Sequence, residues 1–91
     1  MIRRLNHAVL WVRDAQASAA FYRDVLGFQI VADLGPQAAF LRADGSDNDH
    51  DLGLFSVGAR PAPPPHSPGL YHLAWQVHTI EELAAVRTRL A

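Results

Sequence analysis

Two histidines occupy matching positions in an internal repeat of this chain. Residues 5–14 (LNHAVLWVRD) are echoed by residues 70–79 (LYHLAWQVHT), with His7 and His72 as the third residue of each copy. Neutral imidazole is the commonest nitrogen ligand for Zn, Fe, Ni and Cu in proteins, and two histidines with one carboxylate form the facial triad of non-haem Fe(II) chemistry. Either histidine alone is more simply explained as a strand residue satisfied by one hydrogen bond, but the matched positions make a pair of metal ligands an equally good interpretation.

His50 and Asp51 form a second polar group, just before a segment that alternates like a strand. One of them could line the same pocket or supply a further ligand. The simpler interpretation is that both close a solvated acidic loop; it is favoured for Asp51, and both interpretations stay open for His50. Residues 47–51 (DNDHD) resemble a calcium loop only superficially, because Gly53 comes one place late and Gly58 stands where the loop requires Glu.

Strand parity predicts which residues share a face with the two repeat histidines, because successive side chains of a strand point to opposite sides. Trp11 and Trp75 are not equivalent positions of the repeat, which is more typical of core or pocket-wall residues than of a stacking platform. The residues predicted to line a binding pocket are Val9 and Trp11 beside His7, Ala74 and Gln76 beside His72, and Phe55 from a later strand.

The composition describes a small globular protein. The chain has 91 residues, of which 49% are hydrophobic and 19% charged, and its formal net charge is −1. This charge gives no electrostatic reason to expect binding to nucleic acid or to an anionic membrane. No apolar run is long enough to cross a bilayer or to form a signal-peptide core, and there is no cysteine. A cytoplasmic location is therefore expected.

The order of predicted elements is β-α-β-β-β, linker, β-α. Asp14 and Gly27 are predicted to begin and end the first helix, and Thr79 and Glu82 form a capping box before the second. The predicted strands cover residues 5–12, 28–32, 38–43, 51–57 and 69–77, and the predicted helices cover residues 15–26 and 80–90.

Three regions follow from this order: a first βαβββ module over residues 1–57, a linker over residues 58–68, and a truncated second module (βα) over residues 69–91. The linker contains five prolines, which stiffen a chain toward polyproline II. A ligand for SH3-like domains is an alternative interpretation of this segment, but its position between two folded regions favours a linker.

Residues 6–14 (NHAVLWVRD) followed by residues 21–28 (FYRDVLGF) resemble the module opening of the vicinal oxygen chelate superfamily, which includes glyoxalase I, bleomycin and fosfomycin resistance proteins, and extradiol dioxygenases. Residues 69–77 (GLYHLAWQV) resemble the opening of its second module. The resemblance covers nearly the whole chain. It implies an α+β fold in which paired βαβββ modules form a cup around a divalent metal.

The resemblance also implies roles for particular residues. The first-strand histidine of each module is commonly a metal ligand, which corresponds to His7 and His72. A third ligand, usually Glu, comes from the last strand of the second module, which this chain does not contain. The fourth strand offers no Glu, which disfavours glyoxalase I, and residues 50–55 (HDLGLF) look more like the catechol-2,3-dioxygenase branch. That branch implies Fe(II) or Mn(II), a catechol-like substrate, and a histidine acting as acid and base, for which His50 is the candidate.

Two other functions compete with a metal-dependent dioxygenase. One is a metal-free binding protein, similar to drug-sequestering resistance proteins, in which Trp11, Trp75 and Phe55 stack on a planar ligand. The other is a non-catalytic, truncated remnant. The matched histidines favour the enzyme, whereas the missing carboxylate favours the alternatives.

We expect the chain to form a homodimer or a higher homo-oligomer. An unfinished sheet leaves edges that seek partners, and a small core gains stability from association, so another subunit could complete the site. Light scattering at micromolar concentration measures the mass directly, and a monomer would contradict this expectation.

Overall fold

A computed structural model describes the entire chain, Met1–Ala91, which divides into two compact units, Met1–Arg60 and Pro61–Ala91. Neither helix is long and apolar enough to span a membrane. The first unit contains β1 (Ala8–Val12), α1 (Ala15–Leu26), β2 (Gln29–Asp33), β3 (Ala38–Arg42) and β4 (Leu52–Ser56). The second unit contains α2 (Ile80–Leu90).

Helix α1 begins and ends at the residues that the sequence predicts. The Asp14 carboxylate accepts hydrogen bonds from the backbone N–H groups of Gln16 and Ala17, which would otherwise lack partners in the first turn. At the other end, Gly27 adopts a left-handed conformation with φ of 78°, which favours glycine. The Gly27 N–H then donates to the Arg23 carbonyl and the Phe28 N–H to the Tyr22 carbonyl, which ends the helix.

The four strands form one mixed sheet in the order β1-β4-β3-β2. Strand β1 pairs in parallel with β4, with Ala8 opposite Leu52, whereas β4–β3 and β3–β2 are antiparallel. Strand β1 begins at Ala8 rather than at residue 5, because the Ala8 N–H donates to the Asp51 carbonyl at the start of this pairing. The first and last strands of the βαβββ module are therefore neighbours.

The core lies between α1 and one face of the sheet. Leu41, Leu52 and Leu54 are fully buried on the sheet, and Ala15 and Ala19 present the small side chains that let α1 approach it. Alternation along β4 assigns Leu52 and Leu54 to this face and Gly53 and Phe55 to the opposite one. The helix covers one face of the sheet only.

The second unit contains the predicted helix but not the predicted strand. Thr79 Oγ1 accepts from the Glu82 N–H at the start of α2, as the capping box requires. No strand is assigned over residues 69–77, where the sequence predicts one. A strand exists only as a member of a hydrogen-bonded ladder, and the second unit contains no other strand that could pair with this segment.

We expect Leu52→Ala to lower the free energy of unfolding by about 3 kcal/mol, because it removes a fully buried side chain and leaves a cavity under α1. Leu34→Ala is the matched control, since Leu34 is 55% exposed in the turn between β2 and β3. It should change the free energy of unfolding by about 0.5 kcal/mol or less. Urea unfolding followed by circular dichroism measures both, and equal losses would contradict the proposed core.

Candidate functional site

An aromatic surface covers the sheet on the side opposite α1. The Trp11 and Phe55 rings meet edge to face with centroids 5.8 Å apart, and Phe55 meets Phe40 in the same way at 5.7 Å. Trp11 is 73% exposed and Val9 is 52% exposed, so this side of the sheet is open. We call this surface the aromatic face; it consists of Val9, Trp11, Phe40, Gly53 and Phe55.

Gly53 lets the neighbouring side chains lie across the middle of the aromatic face. A Cβ atom at this position would lie 3.0 Å from Cε1 of Phe40 and 3.3 Å from Cγ2 of Val9. Any larger residue would therefore push the Phe40 ring or the Val9 methyl group away. The absence of a side chain on the central strand keeps the face shallow and continuous.

Two histidines continue the aromatic face at one end. The His50 ring lies 5.0 Å from Phe40, and the His7 ring lies 4.6 Å from His50, measured between ring centroids. The parallel pairing of β1 with β4 explains this proximity, because the residues just before Ala8 and Leu52 must lie side by side. The structure thus brings all five predicted site residues of the first unit together with the aromatic residue Phe40.

The Nδ1 atoms of both histidines face oxygen atoms of their preceding neighbours. His7 Nδ1 lies 2.8 Å from Asn6 Oδ1, and His50 Nδ1 lies 2.9 Å from the carboxylate of Asp49. A hydrogen bond at one ring nitrogen determines which nitrogen carries the proton, and an oxygen acceptor at Nδ1 favours a proton there. The Nε2 atom of each ring then retains the lone pair that a metal ion or a substrate proton requires.

Asp51 organises the loop that carries His50. Its carboxylate accepts hydrogen bonds from the Ala43 N–H at 2.8 Å, the Ser46 hydroxyl at 2.9 Å and Asn48 Nδ2 at 2.7 Å. Burial opposes its ionisation, but these hydrogen bonds and the charge of Arg42 outweigh that effect, so the pKa of Asp51 is lowered. Asp51 is thus a structural carboxylate that holds the loop in a fixed conformation.

The remaining predicted site residues belong to the second unit. His72, Ala74 and Gln76 are exposed in the segment before α2, and the Tyr71 ring lies 5.3 Å from that of His72. Neither unit contains a group of three or more His, Cys, Asp or Glu side chains that could hold a metal ion. His7 and His50 supply two imidazoles, which suit Fe, Mn or Zn in type but fall short of a complete ligand set. The pairing of His7 with His72 stays a prediction.

Two residues that matter to the site were not identified from the sequence. Phe40 could have been found by strand parity, because it alternates with the core residues Ala39 and Leu41. Asn48 carries no such pattern. Its side chain bonds to residues more than 40 positions away, and only the folded chain shows these contacts.

A family model confirms the resemblance noted in the sequence. The model described as "Glyoxalase/Bleomycin resistance protein/Dioxygenase superfamily" matches residues 4–91. The match includes the aromatic face, both histidines at its end, and the second unit.

Three curated relatives share this similarity. The chain is 30% identical to metapyrocatechase 2 of Cupriavidus necator, in an alignment that covers 98% of this chain. It is 33% identical to catechol-2,3-dioxygenase of Bacillus subtilis (strain 168), in an alignment that covers 94% of this chain. It covers only 25% and 30% of those two proteins. It is also 33% identical to ethylmalonyl-CoA/methylmalonyl-CoA epimerase of Cereibacter sphaeroides, covering 99% of this chain and 70% of the relative.

Two solved structures have the same fold. A possible glyoxalase from Bacillus cereus superposes with a TM-score of 0.71 at 23% identity, covering 98% of this chain and 72% of the other. Lactoylglutathione lyase from Agrobacterium tumefaciens superposes with a TM-score of 0.67 at 26% identity, covering 99% of this chain and 69% of the other. The α+β fold class expected from the sequence is confirmed.

We expect Asp51→Asn to lower the free energy of unfolding at pH 7 by about 1–3 kcal/mol, because an amide cannot accept all three hydrogen bonds of the carboxylate. The folded-state pKa of Asp51 lies below its unfolded value, so its contribution is present above about pH 4 and is lost as pH falls through the folded pKa. The difference between wild type and variant should therefore shrink in acid. Urea unfolding at pH 7 and at about pH 3 measures it.

Asp47→Asn is the control for this experiment. The Asp47 side chain is 89% exposed in the same loop, where it makes only a long ion pair with Arg4, at 3.7 Å. Its replacement should leave the free energy of unfolding almost unchanged at both pH values. A stability difference for Asp51→Asn that is as large in acid as at pH 7 would contradict the role of the ionised carboxylate.

Proposed function

The chain belongs to the glyoxalase/bleomycin resistance protein/dioxygenase superfamily, and from that premise we propose that it serves in metal-dependent ring cleavage of catechol-like substrates. The aromatic face binds the substrate ring, His7 is a metal ligand, and His50 is the acid and base. The observation that carries the proposal is the position of the His7–His50 pair at the end of the aromatic face.

The aromatic face has the chemistry to bind a planar ring. Trp11, Phe40 and Phe55 present ring faces and edges, and aromatic groups attract one another in offset or edge-to-face arrangements. A small-molecule site is typically apolar with a few polar groups that fix the orientation of the ligand. Here the two imidazoles are those polar groups, and they would meet the hydroxyl end of a catechol whose ring lies against the aromatic side chains.

The short distance between the two rings supports a role for His50 in exchanging a proton with a substrate held at His7. The two ring centroids are 4.6 Å apart, so a small substrate bound at one imidazole lies within hydrogen-bond reach of the other. The Asp49 carboxylate at Nδ1 orients the ring, as a carboxylate orients the histidine of many acid–base pairs. His50 is half-buried, with its side chain 21% exposed, which limits the positions that the ring can adopt.

The metal is proposed to be Fe(II) or Mn(II), with His7 and His72 as ligands. When bound, it would chelate both oxygens of a catechol and activate them for reaction. The case for His72 rests on its matching position in the sequence repeat, and the third ligand would come from a second copy of the chain. Because the chain spans about a quarter to a third of the first two curated relatives, their whole-protein activity comes to it only as this proposal.

A metal-free binding protein is the second candidate. The exposed aromatic face could sequester a planar, antibiotic-type molecule without any chemistry, and neither unit contains a group of three metal-ligand side chains. In that case His7 and His50 would contribute polar contacts only. The two candidates share the aromatic face and differ in whether His7 binds a metal ion.

We expect His7→Ala to abolish stoichiometric uptake of Fe(II) or Mn(II) and, with it, oxygen consumption in the presence of catechol. His50→Gln should keep the metal but reduce turnover by about 10²–10⁴-fold, because it removes the group that exchanges the proton. Elemental analysis after anaerobic loading and removal of free metal gives the first result, and oxygen uptake gives the second. His66→Asn is the control, because it removes an exposed histidine outside the proposed site and should leave metal uptake unchanged. Asn is chosen because His66 has a left-handed backbone conformation, which Asn tolerates.

Metal uptake by His7→Ala equal to that of wild type would contradict the ligand role of His7. A wild-type chain that takes up no metal, yet whose tryptophan fluorescence is quenched by planar aromatic compounds, would favour the binding protein. A CoA-thioester epimerase assay, run in parallel because of the third relative, tests whether another reaction of the superfamily takes place instead.

A further inference from the structure

We infer that Asn48 and Asn6 are positioning residues, because they form a hydrogen-bond relay that keeps the proton of the neutral His7 ring on Nδ1. We call this the amide relay; it runs from Arg4 and Asp51 through Asn48 and Asn6 to His7. The inference deepens the proposed function, on which it depends for the ligand role of His7. The existence of the relay can be tested without any metal or activity.

The orientation of the Asn48 amide is determined by neighbouring groups that can only donate, or can only accept, a hydrogen bond. Arg4 Nη2 is always a donor, and it lies 3.0 Å from Asn48 Oδ1. The Asp51 carboxylate and the Asn6 backbone carbonyl are acceptors, and they lie 2.7 and 3.0 Å from Asn48 Nδ2. Exchanging the oxygen and nitrogen of Asn48 would place donor against donor and acceptor against acceptor at all three contacts.

The Asn48 orientation determines that of Asn6. Asn48 Oδ1 can only accept, and Asn6 Nδ2 lies 3.3 Å from it as a donor. The other end of the Asn6 amide, Oδ1, therefore faces His7 Nδ1 at 2.8 Å. A carbonyl oxygen cannot donate, so the hydrogen bond requires a proton on His7 Nδ1. The lone pair of the neutral ring is then on Nε2.

The relay also joins two distant parts of the first unit. Asn48 belongs to the loop between β3 and β4, whereas Arg4 and Asn6 belong to the segment before β1. Asn48 is half-buried, and each of the two polar atoms of its side chain makes hydrogen bonds with two partners. The loop that presents His50 thereby also orients His7. Hydrogen bonds of this kind to a ligand histidine hold its ring and select the nitrogen that can bind metal.

The experiment is a long-range ¹H–¹⁵N correlation spectrum of the imidazole rings in the full chain. It is recorded without metal at about pH 8, where ordinary histidines are neutral. Wild type should show His7 and His50 protonated on Nδ1. Asn6→Ala and Asn48→Ala should shift His7 to a mixture of tautomers. Asn6→Asp loses the donor to Asn48 but keeps an oxygen facing Nδ1, so it should retain the wild-type tautomer.

Two internal controls separate the relay from a general loss of structure. His50 bonds to Asp49 and not to the relay, so its tautomer should not change in Asn6→Ala. Asp47→Ala alters the same loop and removes only a long, exposed ion pair with Arg4, at 3.7 Å, while every hydrogen bond of the relay is kept, so it should leave His7 as in wild type. A His7 proton on Nε2 in wild type, or an unchanged His7 tautomer in both alanine variants, would overturn the inference.

A second measurement connects the relay with the proposed function. If His7 binds the metal, Asn48→Ala should weaken Fe(II) or Mn(II) binding by about 10-fold or more, the usual effect of removing such a supporting contact. A tautomer shift with no metal binding in wild type would uphold the relay and refute the proposed function. Metal binding of equal affinity in wild type and Asn48→Ala would overturn the positioning role.

Discussion

The parallel pairing of β1 with β4 is the constraint on which the rest of the first unit depends. It places the strand at the start of the chain beside the last strand of the unit, and backbone hydrogen bonds continue it at both ends, from Ala8 N–H to Asp51 and from Val57 N–H to Val12. Parallel strands require a crossover, which α1 provides, and the crossover helix covers one face of the sheet. The same pairing leaves the opposite face open and brings the segment containing His7 beside His50.

Strand β4 contributes one face to the core and the other to the aromatic face. Leu52 and Leu54 are fully buried against α1, while Gly53 and Phe55 belong to the aromatic face. Because strand side chains alternate, a shift of one residue in the register would exchange these roles completely. The register of this strand thus determines both the packing of the core and the composition of the aromatic face.

Local patterns made much of the first unit predictable. The caps Asp14 and Gly27 and the alternation along β1 and β4 depend on near neighbours in sequence, and the structure has both features as expected. Parity along β1 predicts Val9 and Trp11 on the His7 side of the strand, and the pairing of β1 with β4 adds Phe55 to the same side of the sheet. Their role in binding a ligand stays a prediction. The predicted strand over residues 69–77 depends on a pairing partner, which a local pattern cannot supply. The contacts of Asn48 with Arg4 and Asn6 could not be predicted from the sequence either, because they join residues far apart in the chain.

The pairing of β1 with β4 also determines the order in which this unit can fold. The β2–β3 hairpin joins neighbours across a short turn, and the backbone hydrogen bonds within α1 join residues close in sequence, so both can form early at a small loss of chain entropy. Closing β1 onto β4 requires nearly the whole first unit to be present and to form one large loop. During synthesis on the ribosome, the His7–His50 pair is therefore among the last features of the first unit to form, after the strand that follows His50 has emerged.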